Sequence, residues 1–192
     1  MNSASPEQLL SEEDRTILLA VARTSIEQGL DSNLALVPDL LEYPETLHPL
    51  RATFVTLELD HRLQGCIGCL EASRPLVEDV AHHAFAAAFE DPRFPRLRRW
   101  ELSGVDVHIS VLSEPMPLPI RHERDLLASL QPGVDGLILR YREHRATFLP
   151  AVWDSLSEPR EFLQHLKRKA GLPGDFWSSE LRFERYTTEA FP

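Results

Sequence analysis

Cys66 and Cys69 are the only cysteines in the 192-residue chain and stand three positions apart in Leu63-Gln64-Gly65-Cys66-Ile67-Gly68-Cys69. Three chemistries fit that spacing. An activated thiolate is a nucleophile or covalent carrier, a Cys-x-x-Cys pair is a redox couple or half a zinc site, and an unactivated cysteine is a small apolar residue in a tight strand. Gly65 and Gly68 leave the backbone around Cys66 free of side chains, so a ligand can come close to that sulfur. A nucleophilic thiol also needs a base or cation beside it. The chain offers His61, Arg62, His83, Arg93 and Arg96. Arg93 lies in Asp91-Pro92-Arg93-Phe94-Pro95, where two prolines restrict the loop and hold Asp91 and Arg93 in place. With no thiol to serve, that loop is a helix terminator carrying a surface ion pair. His82 and His83 fall off the apolar stripe of their helix and are expected at the surface.

Hydrophobic periodicity defines the elements that must position these residues. Ser11 caps a helix whose apolar spacing runs over 14–28 and stops at Gly29, after a loose tail at 1–10. Residues 31–52 hold three prolines and read as an irregular connection. Strands over 53–59 and 63–70 follow, then a helix over 74–90 and an alternating strand over 104–112. After a proline-marked linker at 113–122, the pattern repeats as strands 135–141 and 145–150, helix 158–170 and strand 181–187. The expected fold is α+β: two β-β-α-β-like units with antiparallel sheets, helices packed on one face and an N-terminal helix. It reads as a single domain from residue 11, divisible into lobes at 11–112 and 123–192. The basic run Lys167-Arg168-Lys169 closes a helix, where the helix dipole accounts for it.

A three-residue turn at Asp60-His61-Arg62 would set Leu57 opposite Gly65 and Val55 opposite Ile67 on one apolar face. Phe54 then faces Gly68, Thr56 faces Cys66 and Glu58 faces Gln64 on the other. Cys66 is therefore expected among Thr56, Glu58 and Gln64, with Cys69 turned into the core. Strand residues three apart lie about 10 Å from each other, whereas a disulfide needs Cα atoms within about 7 Å. No second Cys-x-x-Cys or His-x-x-x-His completes a zinc site. Neither an intrachain disulfide, a metal nor a cofactor is expected.

The formal charge of −10 disfavours nucleic acid, whose phosphates call for clustered Lys and Arg. Two cysteines make no secreted disulfide framework, and neither a signal peptide nor an apolar run of membrane-spanning length is visible. A cytoplasmic protein is expected.

Six segments in order carry a resemblance: Phe54-Val55-Thr56-Leu57, Leu63 to Gly68, Asp91 to Pro95, Gly133-Val134-Asp135-Gly136-Leu137, Ala146-Thr147-Phe148-Leu149-Pro150 and Arg185-Tyr186-Thr187. Together they resemble the AmmeMemoRadiSam system protein A family, named in animals after the AMME chromosomal region. The resemblance implies an α+β fold with two unequal lobes. It also implies partnership with a Memo-like protein and a radical S-adenosylmethionine enzyme, and a suspected active site at the cysteine motif. It brings no reaction with it. The usual family signature is Leu-Arg-Gly-Cys-Ile-Gly, so Gln64 here replaces an arginine and removes a cation beside the thiol. Cys69 lies outside the family pattern. The functional expectation is a cysteine-dependent enzyme or enzyme component with Cys66, Arg93 and Asp91 as catalytic candidates. Thr56, Glu58, Gln64, Gly65 and Gly68 are the binding candidates, and a non-catalytic accessory protein for the same partners is the alternative.

Overall fold

The N-terminal helix begins where a capping box dictates. In the computed structural model, which describes residues 10–192, Ser11 accepts from the Asp14 N–H while the Asp14 carboxylate accepts from Ser11. Residues 1–9 of the expected tail lie outside the described residues. Helix α1 (Glu12–Ser32) continues past Gly29 and ends on Asn33, which adopts the left-handed conformation at φ 58°. Gly29 has a different task from the expected stop. A Cβ there would meet the Phe89 ring at 2.3 Å, so the glycine lets α1 lie close to α2 (Leu76–Phe89). Ser25 Oγ donates to the Ala81 carbonyl at 2.7 Å across the same helix pair. The connection after α1 is irregular, as expected, with short 3₁₀ turns at Leu40–Glu42 and Glu45–Leu47.

The first sheet has the order β2-β1-β3-β8, built from β1 (Thr53–Leu59), β2 (Arg62–Gly68), β3 (Val105–Leu112) and β8 (Thr188–Phe191). Val55, Leu57, Val107, Ile109 and Val111 form its buried face, with α2 and α1 contributing Val77, Val80, Ala84, Leu18 and Ile26 to the same core. The β1–β2 register matches expectation from Phe54↔Gly68 to Leu57↔Gly65 and then slips. The turn holds two residues, Asp60 and His61, both left-handed at φ 51° and 60°, a hairpin geometry that follows the strand twist. Glu58 therefore pairs with Leu63, and the expected Glu58–Gln64 pair does not form. One residue must be absorbed between Gly65 and Leu63, which leaves Gln64 in the resulting bulge.

The second sheet has the order β4-β7-β5-β6, from β4 (Met116–Leu118), β5 (Gly136–Tyr141), β6 (His144–Phe148) and β7 (Arg182–Tyr186). Strand β4 lies inside the expected linker, at the sheet edge where Pro117 is tolerated. Helices α3 (Glu123–Ser129) and α4 (Pro159–Lys169) complete this half. Trp153 stacks on Phe162 at 3.7 Å and donates its indole N–H to the Asp135 carbonyl. Lys167 departs from expectation: its side chain is fully buried, paired with Glu123 at 2.7 Å. The chain divides into two compact units, Ser113–Thr188 forming one, and the residues up to Leu112 with Glu189–Pro192 forming the other.

Candidate functional site

Cys66 sits on β2, an edge strand, opposite Thr56. Its backbone N–H and C=O face away from β1. Asp91 Oδ2 accepts from the Cys66 N–H at 2.9 Å, and Arg93 donates from Nη2 to the Cys66 carbonyl at 3.0 Å. Two side chains thus take the place of a neighbouring strand, which covers an otherwise open edge. A pair whose backbone bonds point outward brings its side chains close. Accordingly, Thr56 Oγ1 lies 3.2 Å from Cys66 Sγ and donates to it. Both residues are half-buried.

The loop after α2 is held as a unit. Asp91 receives the Arg93 N–H, Nε and Nη2 at 3.1, 2.9 and 2.7 Å, and Gln64 donates from Nε2 to the Pro95 carbonyl at 2.8 Å. Arg93, followed by its backbone partners, holds the buried Asp91 carboxyl well below the usual carboxylate range. In turn Asp91, and less strongly Cys66, tightens the hold of Arg93 on its proton. A depressed carboxylate stabilises the fold fully above its unfolded pKa, near 4, and the gain is lost as pH falls toward the folded value. Stability of the parent is expected to drop steadily below about pH 4. Asp91→Asn should start less stable at neutral pH and lose less on acidification, as read from urea midpoints at a series of pH values. Parallel curves for the two proteins would remove Asp91 from the acid response.

The glycines serve packing. A Cβ on Gly65 would lie 2.0 Å from the Ala87 carbonyl oxygen of α2, and one on Gly68 would strike the Thr53 carbonyl at 2.3 Å and the Phe54 ring at 2.4 Å. The absence of a Cβ at these two positions is therefore required by packing within the protein. Glu58 pairs with Leu63 near the turn, two residues along β1 from Thr56.

The register adds a residue that sequence reading passed over. Thr56 pairs with His108 on its other side, so Cys66, Thr56 and His108 form one row across three strands on one face. Alternation in β3 already put His108 on the polar face; only the strand order was missing. Two further residues depart from expectation. His83 is buried, with Nδ1 3.1 Å from Asp79 and 3.2 Å from Thr53, because α1 and the sheet together enclose nearly the whole circumference of α2. Cys69 is half-buried, and burial with the adjacent Asp79 pushes its thiol up.

The family motifs of the second unit also have structural reasons. Gly136 lies under the Tyr186 ring, where a Cβ would come within 2.4 Å. The Tyr186 hydroxyl meets Thr147 Oγ1 at 3.2 Å and donates to the Phe148 carbonyl at 3.1 Å, and burial pushes its pKa up to about 12.

Two antiparallel four-stranded sheets with an N-terminal helix agree with what comparison finds. The chain belongs to the AMMECR1 family, whose model matches residues 19–191. A protein of Methanothermobacter thermautotrophicus is 38% identical over 190 residues, covering 95% of each chain. A protein of Methanocaldococcus jannaschii is 35% identical, over 96% of this chain and 92% of its own. The crystal structure of an uncharacterised Pyrococcus horikoshii protein superposes with a TM-score of 0.82 at 30% identity, covering 95% of this chain and 92% of the other. No helix among the described residues is long and apolar enough to cross a membrane.

Proposed function

We propose that this chain is a cysteine-dependent enzyme, or enzyme component, in which Cys66 is the nucleophile or covalent carrier. The observation that supports this most is the clamp. Asp91 fixes Arg93, and Arg93 rests on the Cys66 carbonyl while Thr56 donates to the sulfur. The fold thus brings a guanidinium to the main chain of Cys66 and a hydroxyl to its sulfur. His108, one strand beyond Thr56, extends the polar row that begins at Cys66. The partners implied by the family are a Memo-like protein and a radical S-adenosylmethionine protein, in the cytoplasm. An accessory, non-catalytic role is supported by a different feature. Leu34, Val37 and Leu41 stand 66%, 85% and 92% exposed along the connection after α1.

Iodoacetamide labelling read by mass spectrometry separates the two. Cys66 is expected to alkylate well before Cys69, whose thiol is held protonated by burial and by Asp79. Arg93→Ala should slow Cys66 labelling near neutral pH on the order of threefold, since an exposed guanidinium is partly screened by water. Gln64→Arg should speed it, and circular dichroism checks that both variants fold. Equal labelling of the two cysteines, or identical rates in the parent and both variants, would leave Cys66 a structural residue.

A further inference from the structure

Cys69, Asp79 and His83 converge although nothing in their spacing announces it. Cys69 follows the end of β2, where its N–H donates to the Thr53 carbonyl at 3.0 Å. Asp79 and His83 are one turn apart on α2, and the helix presents both to the same side. One ligand atom from each of the three residues lies within 4.8 Å of the others. We propose that these three side chains form a binding site for one divalent transition-metal ion of the zinc class.

The donor set selects the ion. Thiolate, imidazole and carboxylate are the ligands of zinc and its neighbours, whereas magnesium and calcium take oxygen alone. Tetrahedral zinc, with bonds of about 2.0 Å to nitrogen or oxygen and about 2.3 Å to sulfur, holds its donors roughly 3.5 Å apart. His83 Nδ1 and Cys69 Sγ already lie 3.1 and 3.8 Å from the Asp79 oxygens, so the sulfur and the imidazole must close by at most about 1 Å, within the reach of side-chain rotation. Three protein ligands leave a fourth position for water.

The carboxylate is divided in a way that suits the role. Asp79 Oδ2 accepts from the Thr53 N–H at 3.0 Å and the Thr53 hydroxyl at 2.7 Å, which fixes the group. Oδ1 has Cys69 Sγ at 3.8 Å and Arg74 Nη1 at 3.8 Å as its neighbours, and the same sulfur lies 3.9 Å from Oδ2 and 3.3 Å from the Glu71 carbonyl. Oδ2 is thus anchored by Thr53 and met by His83 Nδ1 at 3.1 Å, while Oδ1 has no polar contact that short among the described residues. Asp79 is wholly buried and the Arg74 side chain is 41% exposed, so the arginine can swing to solvent when a dication takes over its charge. On binding, the Cys69 thiol releases its proton to solvent, and thiolate plus carboxylate neutralise the ion. The expectation of no metal came from cysteine spacing, which cannot bring Asp79 and His83 beside Cys69.

The test is titration of the reduced full-length chain with Zn²⁺ and Co²⁺. One equivalent of Co²⁺ should produce a near-ultraviolet sulfur-to-cobalt charge-transfer band that Zn²⁺ abolishes and excess Mg²⁺ leaves intact. Cys69→Ser should remove the band, Cys66→Ser should keep it, and His83→Gln should weaken Zn²⁺ binding about tenfold or more, with circular dichroism confirming each fold. No band at one equivalent, a band surviving in Cys69→Ser, or a band lost in Cys66→Ser would each overturn the proposal. Should His83→Gln fail to fold, the comparison of the two cysteine variants decides alone.

Discussion

Gly65→Ala is expected to destabilise the first unit by about 3 kcal/mol, the upper range for overpacking a closed site. The added Cβ would sit 2.0 Å from the Ala87 carbonyl oxygen and 2.9 Å from its carbon. Both belong to the backbone of α2, which cannot rotate aside as a side chain can. Either the helix lifts from the sheet or β2 leaves its register. Gly104→Ala is the matched control, because its Cβ would meet only the Leu59 side chain, at 3.3 Å. That variant should change stability by less than about 1 kcal/mol. Urea unfolding followed by circular dichroism reads both, and similar midpoints would show that α2 yields easily at this point.

The second large effect is expected at the buried lysine. Glu123→Ala removes the partner of an ammonium that is 0% exposed, at a cost of about 3 kcal/mol. Among the described residues, Lys167 then keeps the Trp177 ring face, 5.5 Å from Nζ. Replacing both residues, as Glu123→Ala with Lys167→Met, removes the stranded charge and fills similar volume with apolar atoms. The double variant should regain most of the loss. If it is as unstable as the single variant, Glu123 acts through packing of α3 and the ion pair is incidental.

These two positions also show what the sequence disclosed and what it hid. Alternation and helical spacing located every strand of the first sheet except β8, and the Thr56–Cys66 pair followed from the hairpin alone. Glu58 and Gln64 were misplaced because one residue fewer in the turn shifts the pairing beside it, and no periodicity reveals a bulge. Gly29 and Gly65 look like a helix stop and a ligand approach when read locally. Only the approach of α2 shows that both make room for another element. His83 was assigned to the surface because a stripe records one buried face, and the helix dipole that accounted for Lys167 says nothing of its burial; helices covered on more than one side bury their polar residues too. Strand β4 was hidden by prolines that an edge position accepts. The clamp on Cys66 was half legible, since Pro92 and Pro95 marked a stiff loop. That Asp91 and Arg93 would grip the main chain of β2 needed the strand order.

Strand β8 has a consequence for the time course of folding. It lies beside β3 in the first sheet, yet residues 113–187, nearly all of the second unit, intervene between the two strands in the chain. During synthesis, β1, β2, β3 and both helices of the first unit leave the ribosome long before their last strand exists. Until then β3 has an open edge, a template for pairing with another chain. The closing contact spans the whole second unit, so it is a late, high-contact-order step. Slow translation or misfolding of residues 113–188 would thus prolong exposure of a sheet to which those residues contribute almost nothing.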